Sequence, residues 1–264
     1  MPELPEVETI RRLLARRLAG RRILRAEFPE RRSLRGDPAK TAARLVGQTI
    51  RAVGRRGKHL LIEFDSGLLL AVHLGMTGSL RGGGERGPHT RAVLELDRGR
   101  VLFDDPRMFG RIELCEALPA RIARLGPEPL ETTAADFIAR LRARRRMLKP
   151  LLLDQAFLRG LGNIYTDEAL FRAGIHPRAL AARLSPERAR KLHGAIREVL
   201  TAAIAAGGTT ISDYVDVEGN PGGFQVRLRV YGRAGEPCPR CRAPIRRTVV
   251  GQRGTYYCPK CQKR

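Results

Sequence analysis

The sequence predicts an α+β fold, in which an N-terminal antiparallel β-sandwich flanked by helices precedes a helical region and a C-terminal hairpin that carries cysteines. From about residue 23 to residue 114, short apolar runs alternate with Gly, Asp and Ser turns, which is typical of sequential antiparallel strands. From about residue 132 to residue 206, apolar residues recur at helical spacing. Four of the five cysteines lie within residues 238–264.

The first predicted element is a helix over residues 3–19, which Gly20 ends. Its apolar residues follow the helical period at Val7, Ile10, Leu14 and Leu18. The clearest strands of the predicted sandwich are His59–Phe64, Leu68–His73, Ala92–Leu96 and Val101–Phe103. The chain of 264 residues is long enough to bury this core and that of a second domain.

The helical region begins with a helix that Thr133 can cap. A second helix is expected over residues 147–158, and a third runs from the Gly160–Asn163 turn to about Ala173. A longer helix begins at Ser185, with proline in its first turn.

The last part of the chain is predicted to contain a mobile loop over residues 209–225 and a strand over residues 226–232. Prolines just before residue 130 mark the end of the sandwich. We therefore divide the chain into three domains, covering residues 1–130, 131–232 and 233–264.

Basic residues far outnumber acidic ones. The chain has 50 Lys and Arg against 27 Asp and Glu, a formal net charge of +23. A polyanion would neutralise this excess, which favours nucleic acid as the partner. Only six of the basic residues are Lys. A GC-rich genome would explain that preference for Arg, but it would not explain the excess over acids.

Two classes of protein are excluded by the pattern of apolar residues. No apolar run approaches the ~20 residues of a membrane span. The charged N-terminal helix also lacks the apolar core of a signal peptide. We therefore expect a cytoplasmic protein.

The C-terminal cysteines have the spacing of metal ligands. The pattern C-x2-C-x16-C-x2-C is formed by Cys238, Cys241, Cys258 and Cys261. Two close pairs joined by a hairpin can place four thiolates at the corners of a tetrahedron, as Zn²⁺ prefers, and they leave no open position. We predict one structural zinc ion; two disulfides are the alternative, which a cytosolic chain disfavours. Cys115 is expected to be a buried small side chain.

The first residues have a chemical interpretation of their own. The chain begins Met1-Pro2-Glu3. Removal of the methionine would leave Pro2 with a secondary amine, which can attack an electrophilic sugar carbon and form an iminium ion. Such an amine titrates near pH ~8, so a useful fraction is neutral at physiological pH. On residue type alone, an ordinary terminus is the commoner explanation.

The wider sequence changes that balance, because the string PELPEVETIRR at residues 2–12 resembles the N-terminus of the formamidopyrimidine-DNA glycosylases. Further matches are GKHLL at 57–61, HLGMTGSL at 73–80, DPRMFGR at 105–111, LLLDQAFLRGLGNIYTDEALF at 151–171 and QRGTYYCPKCQ at 252–262. The resemblance covers nearly the whole chain. It implies a β-sandwich, a helix-two-turn-helix domain and a zinc ribbon.

The resemblance also implies an activity. The family consists of bifunctional glycosylases and apurinic-site lyases of base excision repair, which remove 8-oxoguanine and formamidopyrimidines from double-stranded DNA. They act through a Schiff base on the N-terminal proline, followed by β,δ-elimination. We expect the chain to do the same, as a monomer.

Four residues match catalytic positions of the family. Pro2 resembles its nucleophile, and Glu3 resembles the acid that assists opening of the sugar ring. Lys58 matches a lysine that contacts phosphate near the lesion and is needed for excision of oxidised purines. Arg253 matches the arginine that grips the phosphate beside the lesion. Glu6 is similar in type to Glu3 and ranks below it.

Three residues match the side chains that fill the gap left by a flipped base, namely Met76, Arg107 and Phe109. Flipping a base out of the duplex costs about a few kcal/mol of stacking and pairing. A wedge of inserted side chains can recover part of that cost. Arg107 would donate hydrogen bonds to the orphaned cytosine. Ordinary core packing is the alternative for Met76 and Phe109.

The remaining residues that match the family would contact other parts of the DNA. Asn163 lies in a turn between two helices that resembles the family's phosphate-binding turn, and the following helix N-terminus favours an anion. His73 and His89 resemble histidines that contact DNA. The segment of residues 211–224 resembles the family's lid over the flipped base.

Three other functions stay open. The sister branch of endonuclease VIII-like glycosylases acts on oxidised pyrimidines and shares the proline nucleophile. A non-catalytic DNA-binding protein with zinc would explain the charge and the cysteines, but it would not explain Pro2 beside Glu3. An RNA-modifying enzyme ranks last, because the chain has only 5% aromatic residues and lacks an aromatic RNA-binding motif.

Overall fold

The structure is a computed structural model that describes residues 1–211 and 214–264. The chain forms two compact units. The first comprises Met1–Arg124 and Ala206–Gly223, and the second comprises Leu125–Ala205 and Phe224–Arg264. The predicted α+β fold is confirmed. The division into three domains stays a prediction. In the two compact units, residues 206–223 belong with the sandwich, and the cysteine hairpin belongs with the helices.

Among its described residues, the first unit has two β-sheets built from nine strands: β1 Ile23–Glu27, β2 Leu34–Arg35, β3 Ile50–Arg56, β4 His59–Phe64, β5 Leu69–His73, β6 Ser79–Arg81, β7 Thr90–Leu96, β8 Arg100–Asp104 and β9 Arg111–Cys115. One sheet has the order β1-β7-β8-β6, and the other has the order β2-β9-β5-β4-β3. Only the short β2–β9 pair is parallel among the pairs described. Inward-facing residues of both sheets, such as Val72 and Phe103, share one buried core, as a sandwich requires.

The N-terminal helix α1, Leu4–Leu18, lies where the sequence predicts it. Its four periodic apolar residues are all buried, and the helix packs on β3. A capping box begins the helix, in which the Glu3 and Glu6 side chains each accept a hydrogen bond from the other residue's backbone N–H. This reciprocal cap holds the start of the chain beside the helix N-terminus.

Two helices of the first unit were not predicted. Helix α2, Pro38–Leu45, lies inside the predicted strand region, where Asp37 caps it by accepting from the backbone N–H of Lys40. Only Thr41 and Leu45 of this helix are buried, so its apolar period is too weak to recognise. The other is α3, the single turn Ala120–Ala123.

The second unit contains four helices: α4 Ala134–Arg142, α5 Leu148–Leu153, α6 Asn163–Ala173 and α7 Pro186–Ala205. Thr133 caps α4, and Gly174, at φ +72°, ends α6, both as predicted. The helix predicted over residues 147–158 is too long, because Asp154 accepts a hydrogen bond from the backbone N–H of Ala156 and turns the chain. No helix in the described ranges is long and apolar enough to span a membrane.

The strand predicted over residues 226–232 is wrong. Phe224–Arg227 forms a 3-10 turn instead. The backbone N–H groups of residues 229–231 all donate to the carboxylate of Glu168. Those N–H groups are therefore unavailable to a strand partner.

The C-terminal hairpin is confirmed. It pairs β10, Arg246–Val250, with β11, Arg253–Tyr257, and sets Val250 opposite Arg253. The two residues between the strands, Gly251 and Gln252, have φ of +57° and +60°. Positive φ at both positions is what a type I′ turn requires.

Candidate functional site

The start of the chain is held in a buried position. Pro2 is buried, and only 2% of the Glu3 surface is exposed. The backbone N–H of Glu3 donates to Glu6 Oε2 at 2.8 Å. The other Glu6 oxygen, Oε1, accepts from the backbone N–H of Thr209 at 2.7 Å. One buried carboxylate thus connects the residue after Pro2 to the segment of residues 206–223.

Gly208 and Tyr214 lie close to Glu6. A Cβ at Gly208, which has φ +87°, would lie 2.8 Å from Glu6 Oε1, so the approach requires glycine. The Tyr214 hydroxyl donates to the Gly207 carbonyl at 3.1 Å, and burial raises the pKa of that hydroxyl. From the sequence, Glu6 was a weaker candidate for a functional residue than Glu3. Glu3 and Glu6 have the spacing of a capping box, and that spacing could have indicated the importance of Glu6.

The segment of residues 206–223 is not wholly a surface loop. Val217 belongs to the buried core of the first unit, and Tyr214 packs against that core. Arg17 donates to Glu218 at 2.6 Å and thereby joins the segment to α1. The lid predicted at residues 211–224 includes Ser212 and Asp213, which lie outside the described residues.

Lys58 lies in the tight turn between β3 and β4, with only 7% of its surface exposed. Arg55 supports the turn, since its Nη1 donates to the Gly57 carbonyl at 2.9 Å and its Nε donates to Glu8 at 3.0 Å. Burial raises the pKa of the Glu8 carboxyl, but hydrogen bonds from Arg11, Arg12 and Arg55 outweigh burial and hold that pKa at about 2. Glu8 is thus a fully charged anchor for the arginine behind Lys58.

His73 ends β5 and has a defined tautomer. Its Nδ1 accepts from the backbone N–H of Gly75 at 3.1 Å, so in the neutral ring the proton lies on Nε2. The ring centroid is 4.8 Å from that of His59. Burial, followed by the charges of His59 and Lys58, lowers the pKa of His73 to about 4. The ring is therefore a neutral hydrogen-bond donor at physiological pH.

The three predicted wedge residues are on the surface of two neighbouring loops of the first unit. Met76 is 43% exposed and Phe109 is 49% exposed, so core packing does not account for them. The Arg107 guanidinium carbon lies 4.9 Å from the centre of the Phe109 ring. A Cβ at Gly75 would lie 2.5 Å from the Phe109 carbonyl carbon, which shows how closely the two loops approach.

Asp105 holds these two loops together, and sequence reasoning missed it. The residue is completely buried. Its Oδ1 accepts from the Thr77 hydroxyl at 2.6 Å, and its Oδ2 accepts from the backbone N–H of Gly110 at 2.7 Å. Its backbone N–H donates to the carbonyl of His89, whose side chain is exposed. One carboxylate therefore sets the loops that carry Met76 and Phe109.

In the second unit, a buried network joins the start of α6 to the C-terminal hairpin. The Asn163 amide donates to the Gly254 carbonyl at 3.0 Å. Lys149 Nζ donates to the same carbonyl at 2.9 Å and to Asp167 at 2.7 Å, with both charged side chains fully buried. The other Asp167 oxygen accepts from the backbone N–H of Tyr256. Burial raises the pKa of Asp167, and the ion pair with Lys149 opposes that shift.

Arg253 is the first residue of β11 and precedes Gly254 directly. Its side chain is exposed, and the backbone beside it is fixed by Lys149 and Asn163. Asn163 and Arg253, which were predicted from separate motifs, are therefore held by one network. Lys149 and Asp167 were not predicted as parts of it.

The four C-terminal cysteines converge. Their sulfur atoms all lie within 4.8 Å of one another. The Cys241–Cys258 and Cys238–Cys261 sulfurs are 3.4 and 3.9 Å apart. These values are close to the ~3.8 Å edge of a tetrahedron whose Zn–S bonds are about 2.3 Å long. They are too long for disulfides, whose S–S bond is about 2.05 Å. The residues present fit one structural zinc ion.

Backbone N–H groups support this sulfur cluster. The N–H of Arg240 donates to the Cys238 sulfur and that of Cys261 donates to the Cys258 sulfur, both at 3.4 Å. Such donors stabilise thiolate charge and orient ligands. Cys115, outside the cluster, is half-buried rather than buried as expected, and burial raises the pKa of its thiol to about 11.

Comparison with known proteins gives full-length matches. Family models match at residues 1–112 (formamidopyrimidine-DNA glycosylase N-terminal domain), 125–215 (formamidopyrimidine-DNA glycosylase H2TH domain) and 235–264 (zinc finger found in FPG and IleRS). A formamidopyrimidine-DNA glycosylase of Solibacter usitatus is 58% identical over 265 residues, which cover 100% of both chains. One from Thermus thermophilus is 47% identical over 99% of this chain and 98% of its own.

Solved structures agree with these matches. The crystal structure of the MutM (Fpg) protein from Thermus thermophilus is 46% identical with a TM-score of 0.90, covering 99% of this chain and 98% of that one. A Lactococcus lactis Fpg mutant in complex with a Fapy-dG-containing DNA is 37% identical with a TM-score of 0.93 over 100% of both chains. Another Lactococcus lactis Fpg complex, of TM-score 0.92, contains an oxidised pyrimidine in its DNA.

Proposed function

The chain belongs to the formamidopyrimidine-DNA glycosylase family, and from this membership we propose that it excises oxidised purines from double-stranded DNA and cleaves the strand at the abasic site. It is a bifunctional glycosylase and apurinic-site lyase of base excision repair. The observation that carries the proposal is the buried pair of Pro2 and Glu3 at the N-terminus of α1.

Pro2 is the nucleophile in this proposal. Removal of Met1 converts the Pro2 nitrogen from an amide into a secondary amine. Only the neutral amine can attack the sugar carbon.

The reaction follows from amine chemistry. Attack of the Pro2 nitrogen on C1′ displaces the damaged base, and opening of the sugar ring gives an iminium ion. Glu3 lies next to the nucleophile and supplies a proton to the ring oxygen as the C1′–O bond breaks. The iminium acidifies the C2′ proton, whose loss expels the 3′ phosphate. A second elimination then expels the 5′ phosphate.

Other residues hold the DNA during this chemistry. Lys58 and His73 of the first unit, and Asn163 and Arg253 of the second, bind backbone phosphates through N–H donors. His89, on an exposed loop, adds a further contact. Because bound phosphates release counterions, we expect the affinity to fall steeply with salt.

The wedge explains the choice of duplex substrate. Met76 and Phe109 are exposed apolar side chains that can enter the gap left by the flipped base, which recovers part of the stacking lost. The Arg107 guanidinium, placed beside Phe109, can donate to the two acceptors on the pairing edge of cytosine. We therefore propose cytosine as the opposite base.

Four thiolates leave no position on the zinc ion for a substrate, so its role is structural. Its binding therefore contributes folding free energy to the hairpin that carries Arg253. The high net charge suits a protein that binds DNA in the cytoplasm, at the nucleoid. We propose that the enzyme acts as a monomer on one lesion.

Base release and strand scission test the proposed function together. Wild type and Pro2→Gly would be given one duplex with 8-oxoguanine opposite cytosine and another with an oxidised pyrimidine. We expect wild type to release 8-oxoguanine and to leave phosphates at both ends of a one-nucleotide gap, and Pro2→Gly, whose primary amine is a weaker nucleophile, to do both far more slowly while still binding an abasic-site analogue. Preference for the oxidised pyrimidine would assign the chain to the endonuclease VIII-like branch.

A further inference from the structure

A basic concavity of about 230 Å³ lies on the outer face of the five-stranded sheet, and no role described above uses most of it. Its lining residues are Arg35, His59, Ala71, His73, Arg111 and Arg121. Sheet register explains why they meet: His59, His73 and Arg111 form one row across β4, β5 and β9. Ala71 and Arg35 lie in the next row, on either side of Glu113. The small side chain of Ala71 leaves the depression between the larger ones.

The charges of this concavity are only partly balanced. Arg121 is paired with Glu113. Arg111 uses Nη1 to donate to the carbonyls of Met108 and Gly110. The Arg35 guanidinium makes no hydrogen bond or ion pair with any residue of the described ranges 1–211 and 214–264. Three guanidinium groups therefore face one carboxylate, which leaves an excess of positive charge.

The two histidines add donors but no charge. Burial, then neighbouring cations, lowers the pKa of both His59 and His73 to about 4. His73 presents its Nε2 proton, because Nδ1 accepts from Gly75. The buried Nδ1 of His59 has no hydrogen-bond partner among the residues described. The concavity thus combines guanidinium forks with the Nε2–H donor of His73, an arrangement suited to a phosphate group.

The concavity shares His73 with the residues proposed to bind phosphate. Lys58 directly precedes His59, and its charge acts on His73. We infer that Arg35, Arg111 and Arg121, together with His59 and His73, bind a second backbone phosphate of the DNA, beyond the one held at Lys58. This inference rests on the proposed function, since it extends the path of the same DNA.

Salt dependence of binding gives the direct test. Each phosphate neutralised contributes about 0.9 to the slope of log K against log salt. We would measure that slope by fluorescence anisotropy for the full-length protein on a duplex with an abasic-site analogue opposite cytosine. The variants are Arg35→Gln, Arg121→Gln and the double variant. Arg25→Gln, an exposed arginine of the other sheet that pairs with Glu27, is the matched control.

We expect Arg25→Gln to keep the wild-type slope and Arg35→Gln to bind several-fold more weakly at fixed salt. The double variant should lose about 0.9 from the slope in total, because both arginines serve one phosphate. Losses that add up to about 1.8, or a slope equal to that of Arg25→Gln, would overturn the inference. Arg35 has an exposed side chain, so its substitution is expected to leave the fold intact; equal melting temperatures would verify this.

The source of the phosphate is distinguished by a second measurement. In protein with ¹⁵N-labelled histidine, the duplex should shift the ring signals of His59 and His73, and Arg35→Gln should weaken that shift. Shifts caused by inorganic phosphate but not by the duplex would replace the DNA backbone with a free phosphate and overturn the inference. Failure of the proposed function itself would look different, since wild type would then form no covalent adduct with damaged DNA whatever its salt slope.

Discussion

Asp105 provides a sharp test of how the wedge is built. Its carboxylate accepts hydrogen bonds from Thr77 and Gly110 and is completely buried. Asp105→Asn keeps the size of the side chain but removes its charge and one of its two acceptors, so the Thr77 hydroxyl must turn to accept a hydrogen bond instead of donating one. A hydrogen bond to a charged group contributes about 1.5–3 kcal/mol, so we expect the free energy of unfolding to fall by about 2–3 kcal/mol. The fold survives such a loss.

The larger effect should be on excision from duplex DNA. Loops that carry Met76 and Phe109 would no longer be held in the geometry that fills the gap. If about 1.4–2.7 kcal/mol of wedge stabilisation is lost, single-turnover release of 8-oxoguanine slows by about 10–100-fold. Cleavage of a preformed abasic site in single-stranded DNA needs no wedge, so its rate should change by less than about 3-fold.

Asp104→Asn is the matched control. That neighbouring carboxylate also accepts two hydrogen bonds, from Arg81 and Thr90, and neither donor lies in the loops that carry Met76 and Phe109. Its substitution should therefore destabilise the protein without a selective loss on duplex. If Asp105→Asn and Asp104→Asn slow both reactions equally at the same folded fraction, the proposed role of Asp105 in setting the wedge is refuted.

Three further predictions concern stability and metal content. Glu8→Gln should lower the free energy of unfolding at neutral pH by about 1–3 kcal/mol. The pKa of the Glu8 carboxyl is about 2 in the fold and 4.5 unperturbed. In urea titrations, the difference from wild type should therefore disappear as the pH falls from 4.5 to about 2. Lys149→Met should cost about 3–5 kcal/mol by leaving Asp167 buried and uncompensated, and Lys149→Met/Asp167→Leu should recover part of it; a double variant less stable than the single one would contradict this. Cys258→Ser should abolish binding of one zinc per chain in a colorimetric chelator assay, whereas Cys115→Ser should retain it.

Local sequence signals predicted most of the fold. The period of α1, the alternation in the sandwich strands and the cysteine spacing each depend on residues close together in the chain. The candidate site was predicted in the same way, from short motifs that carry Pro2, Met76 and Phe109. The exposure of Met76 and Phe109 argues against core packing, and their role beside a flipped base stays a prediction.

Contacts between distant residues could not be predicted. Glu6 and Thr209 are 203 positions apart, and Lys149 and Gly254 are 105 apart, so no spacing rule connects them. The same reason explains the wrong strand at residues 226–232. Its apolar alternation is real, but the distant Glu168 carboxylate takes the backbone N–H groups that a strand would use.

The central claim is that the Pro2 nitrogen forms a covalent intermediate with the sugar. Borohydride reduction during reaction with an 8-oxoguanine:cytosine duplex would trap that intermediate, and tandem mass spectrometry of the digested adduct would locate it. After confirmed removal of Met1, we predict a stable adduct on Pro2 in wild type and in Glu6→Gln, and none in protein that retains Met1, because its Pro2 nitrogen is an amide. An adduct mapped to a lysine such as Lys58, or no adduct with either an oxidised purine or an oxidised pyrimidine, would contradict the account.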